Sequence, residues 1–215
     1  MSITRKDLDG ALRKLYERWQ NLDQITDWHD VKIVEQYGTR FLRIEKRLHR
    51  NNPEPEPRNT ASDSITDNDE DKEDDEEVVH PPPSSASKTP PPLIVYEILH
   101  SPSYQVPVLY ISFKSLPRPT PEEVYELLVP DAYREQVRAV GVMGALSVTE
   151  HPITGLPVYF VHPCRTQEAM AGHRGGEGEG RPEEYLLVWM GSIGASVGLS
   201  VPVELARGMM AGDGS

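Results

Sequence analysis

One cysteine stands in the 215 residues, Cys164, in the run Val161-His162-Pro163-Cys164-Arg165-Thr166. A chain with a single thiol forms no internal disulfide, no CxxC redox pair and no multi-thiolate zinc site. Chemistry at this thiol is therefore that of a lone nucleophile or covalent carrier. A free thiol has a pKa of about 8.5, so at neutral pH only a small fraction is thiolate without help. Three neighbours are placed to help. Arg165 sets a positive charge beside the sulfur, and residues 166–170 read as a short helical turn whose amide end faces it. His162 lies two residues upstream, and positions i and i+2 of an extended strand share a face. Pro163 keeps His162 out of the helical region and removes one backbone donor, which stiffens the path. The pair falls short of a protease dyad, because on a strand the two Cα atoms lie roughly 6–7 Å apart, and a cysteine protease also wants a third, orienting group and an oxyanion hole. A solitary cysteine is also commonly a small buried hydrophobe.

The elements that must hold this run can be read from periodicity. Leu8, Leu12, Leu15, Trp19 and Leu22 recur at helical spacing and predict an amphipathic helix over residues 4–22. Gly38 punctuates, and Arg40 to Leu48 alternates in part, a half-buried strand with Leu42, Ile44 and Leu48 facing in. Leu93–His100 and Tyr104–Phe113 are apolar runs separated by Ser101-Pro102-Ser103, a hairpin, with Pro107 implying an edge position or a bulge. Thr120-Pro121-Glu122-Glu123 carries a capping box that opens a helix with Val124, Leu127 and Leu128 on its apolar face, closed by Pro130. A second short helix follows over residues 131–140. Leu156 to His162 is a strand that runs into Pro163-Cys164, and a Gly/Glu-rich loop follows Met170. A last helix begins near Pro182 and carries Tyr185, Leu186, Trp189 and Ile193. The order is that of an α+β fold, helices covering one antiparallel sheet.

Charge and composition narrow the function. The net charge is −12, but residues 63–77 hold ten acidic residues and one lysine, a local net of −9. No basic stripe is present, which argues against nucleic-acid binding. From Asn51 to Pro92 proline, serine, asparagine and acids dominate, a composition that cannot bury enough surface to offset the entropy of ordering. This segment is expected to be a long disordered acidic insert between two strands, with an acidic docking arm as the alternative. The chain accordingly divides into residues 1–50, the N-terminal helix and first strand of a core, residues 51–92, the insert, and residues 93–210, the rest of the core with the cysteine. Tyr185 to Val203 is nineteen residues without a charge. Its glycines and serines favour a buried helix packed on the sheet over a membrane span. The N-terminus lacks an apolar secretory segment, and one cysteine fits a reducing, cytoplasmic compartment.

Three stretches resemble one family. Glu150-His151-Pro152-Ile153-Thr154-Gly155-Leu156-Pro157 and the following Val161 to Glu168 resemble the active-site region of the autophagy E2-like conjugating enzymes, the autophagy-related protein ten family. Ser103-Tyr104-Gln105-Val106-Pro107-Val108-Leu109-Tyr110 resembles that family's signature strand, and Trp189 through Pro202 its C-terminal helix region. Together they cover most of residues 93–206. The resemblance implies an E2-like fold, and Cys164 as the acceptor of a ubiquitin-like modifier, autophagy-related protein twelve. The modifier arrives as a thioester from an E1-like activating enzyme and leaves to a lysine of an acceptor protein, autophagy-related protein five. No metal or cofactor is implied. Ubiquitin-type E2 enzymes carry a His-Pro-Asn before the cysteine, yet no asparagine follows Asn68 here and His151-Pro152 precedes isoleucine. The oxyanion donor is thus a backbone N–H, Thr166, His162 or a tyrosine such as Tyr104. His162 is a possible helper, and His151 reads as structural. The alternatives are an E2-like enzyme that conjugates a modifier to phosphatidylethanolamine, disfavoured by Arg165-Thr166-Gln167, a catalytically inactive E2-like binding module, and a Cys/His hydrolase.

Overall fold

Thr4 opens the first helix: its side chain accepts from the Asp7 amide at 3.2 Å, satisfying one of the free N–H groups of the first turn. The computed structural model describes residues 2–22, 27–48, 92–116, 119–129, 146–171 and 180–211. The expected insert, the short helix over 131–140, Pro130 and most of the Gly/Glu loop lie outside them. Helix α1 spans Arg5–Gln20 and buries Leu8, Ala11, Leu12 and Leu15, the stripe expected from its spacing.

Among the described residues six strands form one antiparallel sheet in the order β1-β2-β3-β4-β6-β5. Strand β1 (Trp28–Gln36) turns through Tyr37 and Gly38 into β2 (Thr39–Arg47). Both turn residues have positive φ, 49° and 70°, the geometry that suits the twist of a tight hairpin. Strands β3 (Leu93–Ser101) and β4 (Val106–Lys114) form the second hairpin in the expected place. Pro107 stands opposite His100, outside the short stretch Leu109–Ile111 where β4 also pairs with β6. Its missing N–H thus falls where β4 is an edge. Strands β5 (Leu146–Glu150) and β6 (Pro157–Val161) close the sheet.

Period two sorts the side chains onto two faces. Leu42, Ile44, Tyr96, Ile98, Leu109, Ile111, Tyr159 and Val161 join one core with the buried stripe of α1 and the C-terminal helices. Strand β2 departs from the half-buried reading, because Phe41 and Glu45 on its other face are buried as well. Phe41 lies 6.3 Å, edge to face, from the His151 ring, and Glu45 pairs with Lys114 across the sheet. Buried on both sides, the strand hides a carboxylate that alternation alone would assign to solvent.

Helix α2 (Pro121–Leu128) starts on the full capping box, with Thr120 accepting from Glu123 N–H and Glu123 accepting from Thr120 N–H at 2.7 Å. After β6 come the turn Pro163–Arg165 and helix α3 (Thr166–Ala171). Helix α4 (Pro182–Trp189) carries the fully buried Trp189. The uncharged run does not continue as one helix. It widens into a π turn over Met190–Gly194, tightens over Ala195–Val197, and stops at Gly198, whose φ of 78° is left-handed. Helix α5 (Val203–Met210) follows. Among the described residues no helix is long and apolar enough to cross a membrane. The terminating turn is tied to three strands: Tyr96 Oη donates to Val197 O at 2.8 Å, Lys46 Nζ to Gly198 O at 2.7 Å and Trp28 Nε1 to Ser200 O at 3.1 Å.

Candidate active site

Strand β6 ends at Val161 because Pro163 has no N–H to continue the ladder, while His162 before it stays extended at φ −65° and ψ 128°. The backbone turns helical at once. Pro163–Arg165 is a single tight turn in which the Thr166 amide donates to Pro163 O, and it runs directly into α3. Pro163 is buried, and Thr166 and Met170 sink to 3% and 1% exposure and anchor the turn to the core. Between these anchors Cys164 stands exposed. The turn thus offers a thiol to solvent on a backbone fixed from both ends.

His162 is brought to Cys164, but not as neighbours on one strand face. The strand has already ended, and His162 instead caps the turn: its Nδ1 accepts from the Cys164 amide at 3.1 Å. An accepting Nδ1 places the proton of the neutral ring on Nε2. The ring is caged by two aromatics, Phe160 at 5.7 Å and Tyr104 at 5.8 Å between centroids. Tyr104 arrives from the β3–β4 turn and is 42% exposed. Thr166, another candidate for the oxyanion, is buried on the core side of the turn. Of the side chains considered from sequence, His162 bonds the Cys164 amide and Tyr104 packs against the His162 ring.

A second cluster, not evident from sequence, lies along the same sheet face. The loop between β5 and β6 folds on itself, with His151 N–H donating to Leu156 O at 2.8 Å and Gly155 N–H to His151 O at 2.9 Å. Gly155 needs φ of 69° for this, a region glycine enters freely. His151 is 2% exposed, and its Nδ1 accepts from the amides of Ile153 and Thr154, both at 3.3 Å. Its Nε2 faces Glu97 Oε2 at 3.2 Å, a close polar contact outside hydrogen-bond geometry. Arg43 closes on Glu97 Oε1 with Nε at 2.8 Å and with a terminal nitrogen at 2.7 Å. Burial pushes the Glu97 carboxyl up, but His151 and Arg43 outweigh it and hold it below the usual glutamate range. Aromatic contacts link the clusters: Tyr110 meets the His151 ring edge-on at 5.1 Å and stacks on Phe160 at 6.2 Å. The visible signal was Glu97 itself, the one charged residue in the apolar run Leu93–His100. His151 is the structural residue that its turn implied.

An antiparallel sheet flanked by helices, with one exposed cysteine on a capped turn after an inner strand, defines an E2-like domain. The chain belongs to the family described as autophagocytosis associated protein, active-site domain, whose profile matches residues 6–204. It is 39% identical over 118 residues to the ubiquitin-like-conjugating enzyme ATG10 of Gibberella zeae, covering 53% of this chain and 48% of that one. It is 34% identical over 115 residues to the enzyme of the same name from Homo sapiens, covering 52% and 51%. The chain thus spans about half the length of the curated relatives it matches. A solved structure titled as the crystal structure of the autophagic E2 Atg10 superposes with a TM-score of 0.51, at 15% identity, over 93% of this chain and 99% of that one. That likeness concerns the fold.

Proposed function

We propose that the chain is an E2-like conjugating enzyme of autophagy, and that Cys164 carries a ubiquitin-like modifier, autophagy-related protein twelve, as a thioester. One observation carries the reading: in a chain of this family, the sole thiol is exposed on a turn whose backbone is capped and anchored. In the first step the Cys164 thiolate attacks the thioester carbonyl carbon held by an E1-like activating enzyme. A new C–S bond forms, and the activating enzyme's thiolate leaves. In the second step the amine of an acceptor lysine, on autophagy-related protein five, attacks the same carbon. The C–N bond forms, the Cys164 thiolate leaves, and the amine gives its extra proton to base. Splitting one acylation into two transfers lowers each barrier. His162 keeps the Cys164 amide directed and the turn in register. The Tyr104 hydroxyl, on a ring that packs against His162, is one candidate donor to the oxyanion of either step, beside the backbone N–H groups of the turn. The pathway serves protein transport in the cytoplasm.

The test uses the protein with activating enzyme, modifier and ATP, followed by a non-reducing gel. A thiol-sensitive band one modifier heavier is expected, absent in Cys164→Ala and replaced by a thiol-resistant oxyester in Cys164→Ser. Failure of the band with active partners overturns the carrier role and leaves an E2-like binding module. Deleting residues 54–90 is expected to leave thioester formation nearly intact; a large loss assigns the acidic insert to partner docking.

A further inference from the structure

We propose that Phe160 is a positioning residue for the thiol turn, acting through the His162 ring; the proposal rests on the carrier role of Cys164. The Cys164 amide donates to His162 Nδ1 at 3.1 Å, and a bond to a ring nitrogen is strong only while the donor lies near the ring plane. The χ2 torsion of histidine is broad, so the side chain does not fix that plane by itself. Neighbouring rings fix it. Phe160 lies 5.7 Å from the imidazole with the two planes at 56°, and Tyr104 lies 5.8 Å away at 77°. Tyr104 comes from a turn and is 42% exposed, whereas Phe160 comes from β6 itself, two residues before the histidine. A wall carried on a strand holds its neighbour more precisely than one carried on a turn.

Phe160 is itself braced across the sheet. Arg43, Glu97, Tyr110 and Phe160 stand opposite one another on β2, β3, β4 and β6, one residue per strand in a single row. Arg43 holds Glu97, Glu97 faces His151, and the His151 ring meets Tyr110, which stacks on Phe160 with the two planes at 20°. Tyr110 and Phe160 are half-buried, and neither belongs to the hydrophobic core shared by the sheet and the helices. Filling the interior is therefore not what asks for aromatic rings here. A flat ring sets the orientation of another ring, which a leucine of comparable apolar surface does not. The brace also falls where β6 needs one. Among the described residues β6 meets β4 at three pairs, and Phe160 opposite Tyr110 is the middle one. On its other side lies the five-residue edge strand β5. The row thus carries the rigidity of the inner strands to the imidazole, and through it to the cysteine amide.

The experiment compares Phe160→Leu, Phe160→Tyr and Tyr110→Leu in the full chain by two readouts. The first is the rate of thioester formation with activating enzyme, modifier and ATP. Phe160→Leu is expected to load roughly three- to tenfold more slowly, the worth of one aromatic contact, and Tyr110→Leu to slow in the same direction by less. Phe160→Tyr keeps the ring and is expected to restore loading. In a His162→Ala background the Phe160→Leu loss is expected to vanish, because the ring it steadies is gone. The second readout is the nitrogen NMR spectrum of the imidazoles at mildly alkaline pH, with His162 identified by its absence from His162→Ala. Wild type is expected to show an unprotonated Nδ1 and a protonated Nε2, and Phe160→Leu a mixture of the two tautomers. Wild-type loading by either leucine variant overturns the proposal, as does an equal Phe160→Leu loss with and without His162. An unmixed tautomer in Phe160→Leu does so too. If wild type itself forms no thioester with active partners, the carrier role fails, and the tautomer signal alone still decides the place of Phe160.

Discussion

At the scale of single residues, the thiol is positioned by a hydrogen bond that does not touch its sulfur. The Nδ1 of His162 holds the Cys164 amide, which asks the histidine for an acceptor and not for a base. Asparagine can supply the same acceptor. His162→Asn is therefore expected to load with modifier nearly as wild type does. His162→Ala is expected to lose about 1 kcal/mol of local stability, by analogy with a lost helix cap, and to load more slowly. Rates of thioester formation on non-reducing gels separate the two, and equal loss in both variants would point to a direct chemical role for the ring. Tyr104→Phe keeps the edge-to-face contact with His162 and removes the hydroxyl. If that hydroxyl meets the oxyanion, lysine aminolysis is expected to slow by roughly 10²–10³-fold, while binding of the modifier is unchanged. Single-turnover discharge onto lysine measures this.

At the scale of elements, two glycines test how the C-terminal run is built. Gly198 has φ of 78°, and a Cβ added there would lie 2.9 Å from Leu128 O. Gly38 also has positive φ, 70°, but a Cβ there meets nothing within 4 Å. Backbone strain alone costs about 1–3 kcal/mol at such positions, so Gly38→Ala is expected to lose that much and Gly198→Ala clearly more, as urea midpoints will report. The same turn shows where sequence stops being informative. The uncharged run Tyr185–Val203 reads as one helix, and only its packing against Tyr96, Lys46 and Leu128 reveals the break. Strand β1 escapes notice because a register shift between Trp28 and Asp30 breaks its alternation. Strand β5 is five residues long, too short for a period to emerge. The hairpin β3–β4, the Thr120 box and the α1 stripe rest on local rules and were legible. Cys164 was legible as a lone thiol at the end of a strand, but the cap on its amide was not: residues two apart suggest a shared strand face, and it is Pro163 that ends the strand between them.

At the scale of the whole molecule, Glu97 links strands distant in sequence. It joins Arg43 of β2 to His151 beyond β5, with its carboxylate held ionised below the usual glutamate range. A carboxyl lowered in the folded state contributes stability that is present above the unfolded pKa and lost as pH falls through the folded one. Acid unfolding is therefore expected to steepen below the ordinary glutamate range, about pH 4.3, and Glu97→Gln to flatten that slope. At neutral pH the same variant is expected to be less stable by about 1–3 kcal/mol, the cost of leaving buried partners unsatisfied. Urea titrations at several pH values read both effects, and an unchanged acid slope would remove Glu97 from the acid response.

The three hydrogen bonds from Trp28, Lys46 and Tyr96 to residues 197–200 also set an order in time. The donors are synthesised long before their acceptors. While the ribosome is still adding the turn that carries the thiol, these side chains have no carbonyl to bind, and the groove between α1 and the sheet lacks Trp189. The domain thus completes its core only after its lone cysteine has been made. A chain stalled between the two would present the cysteine on an unfinished scaffold.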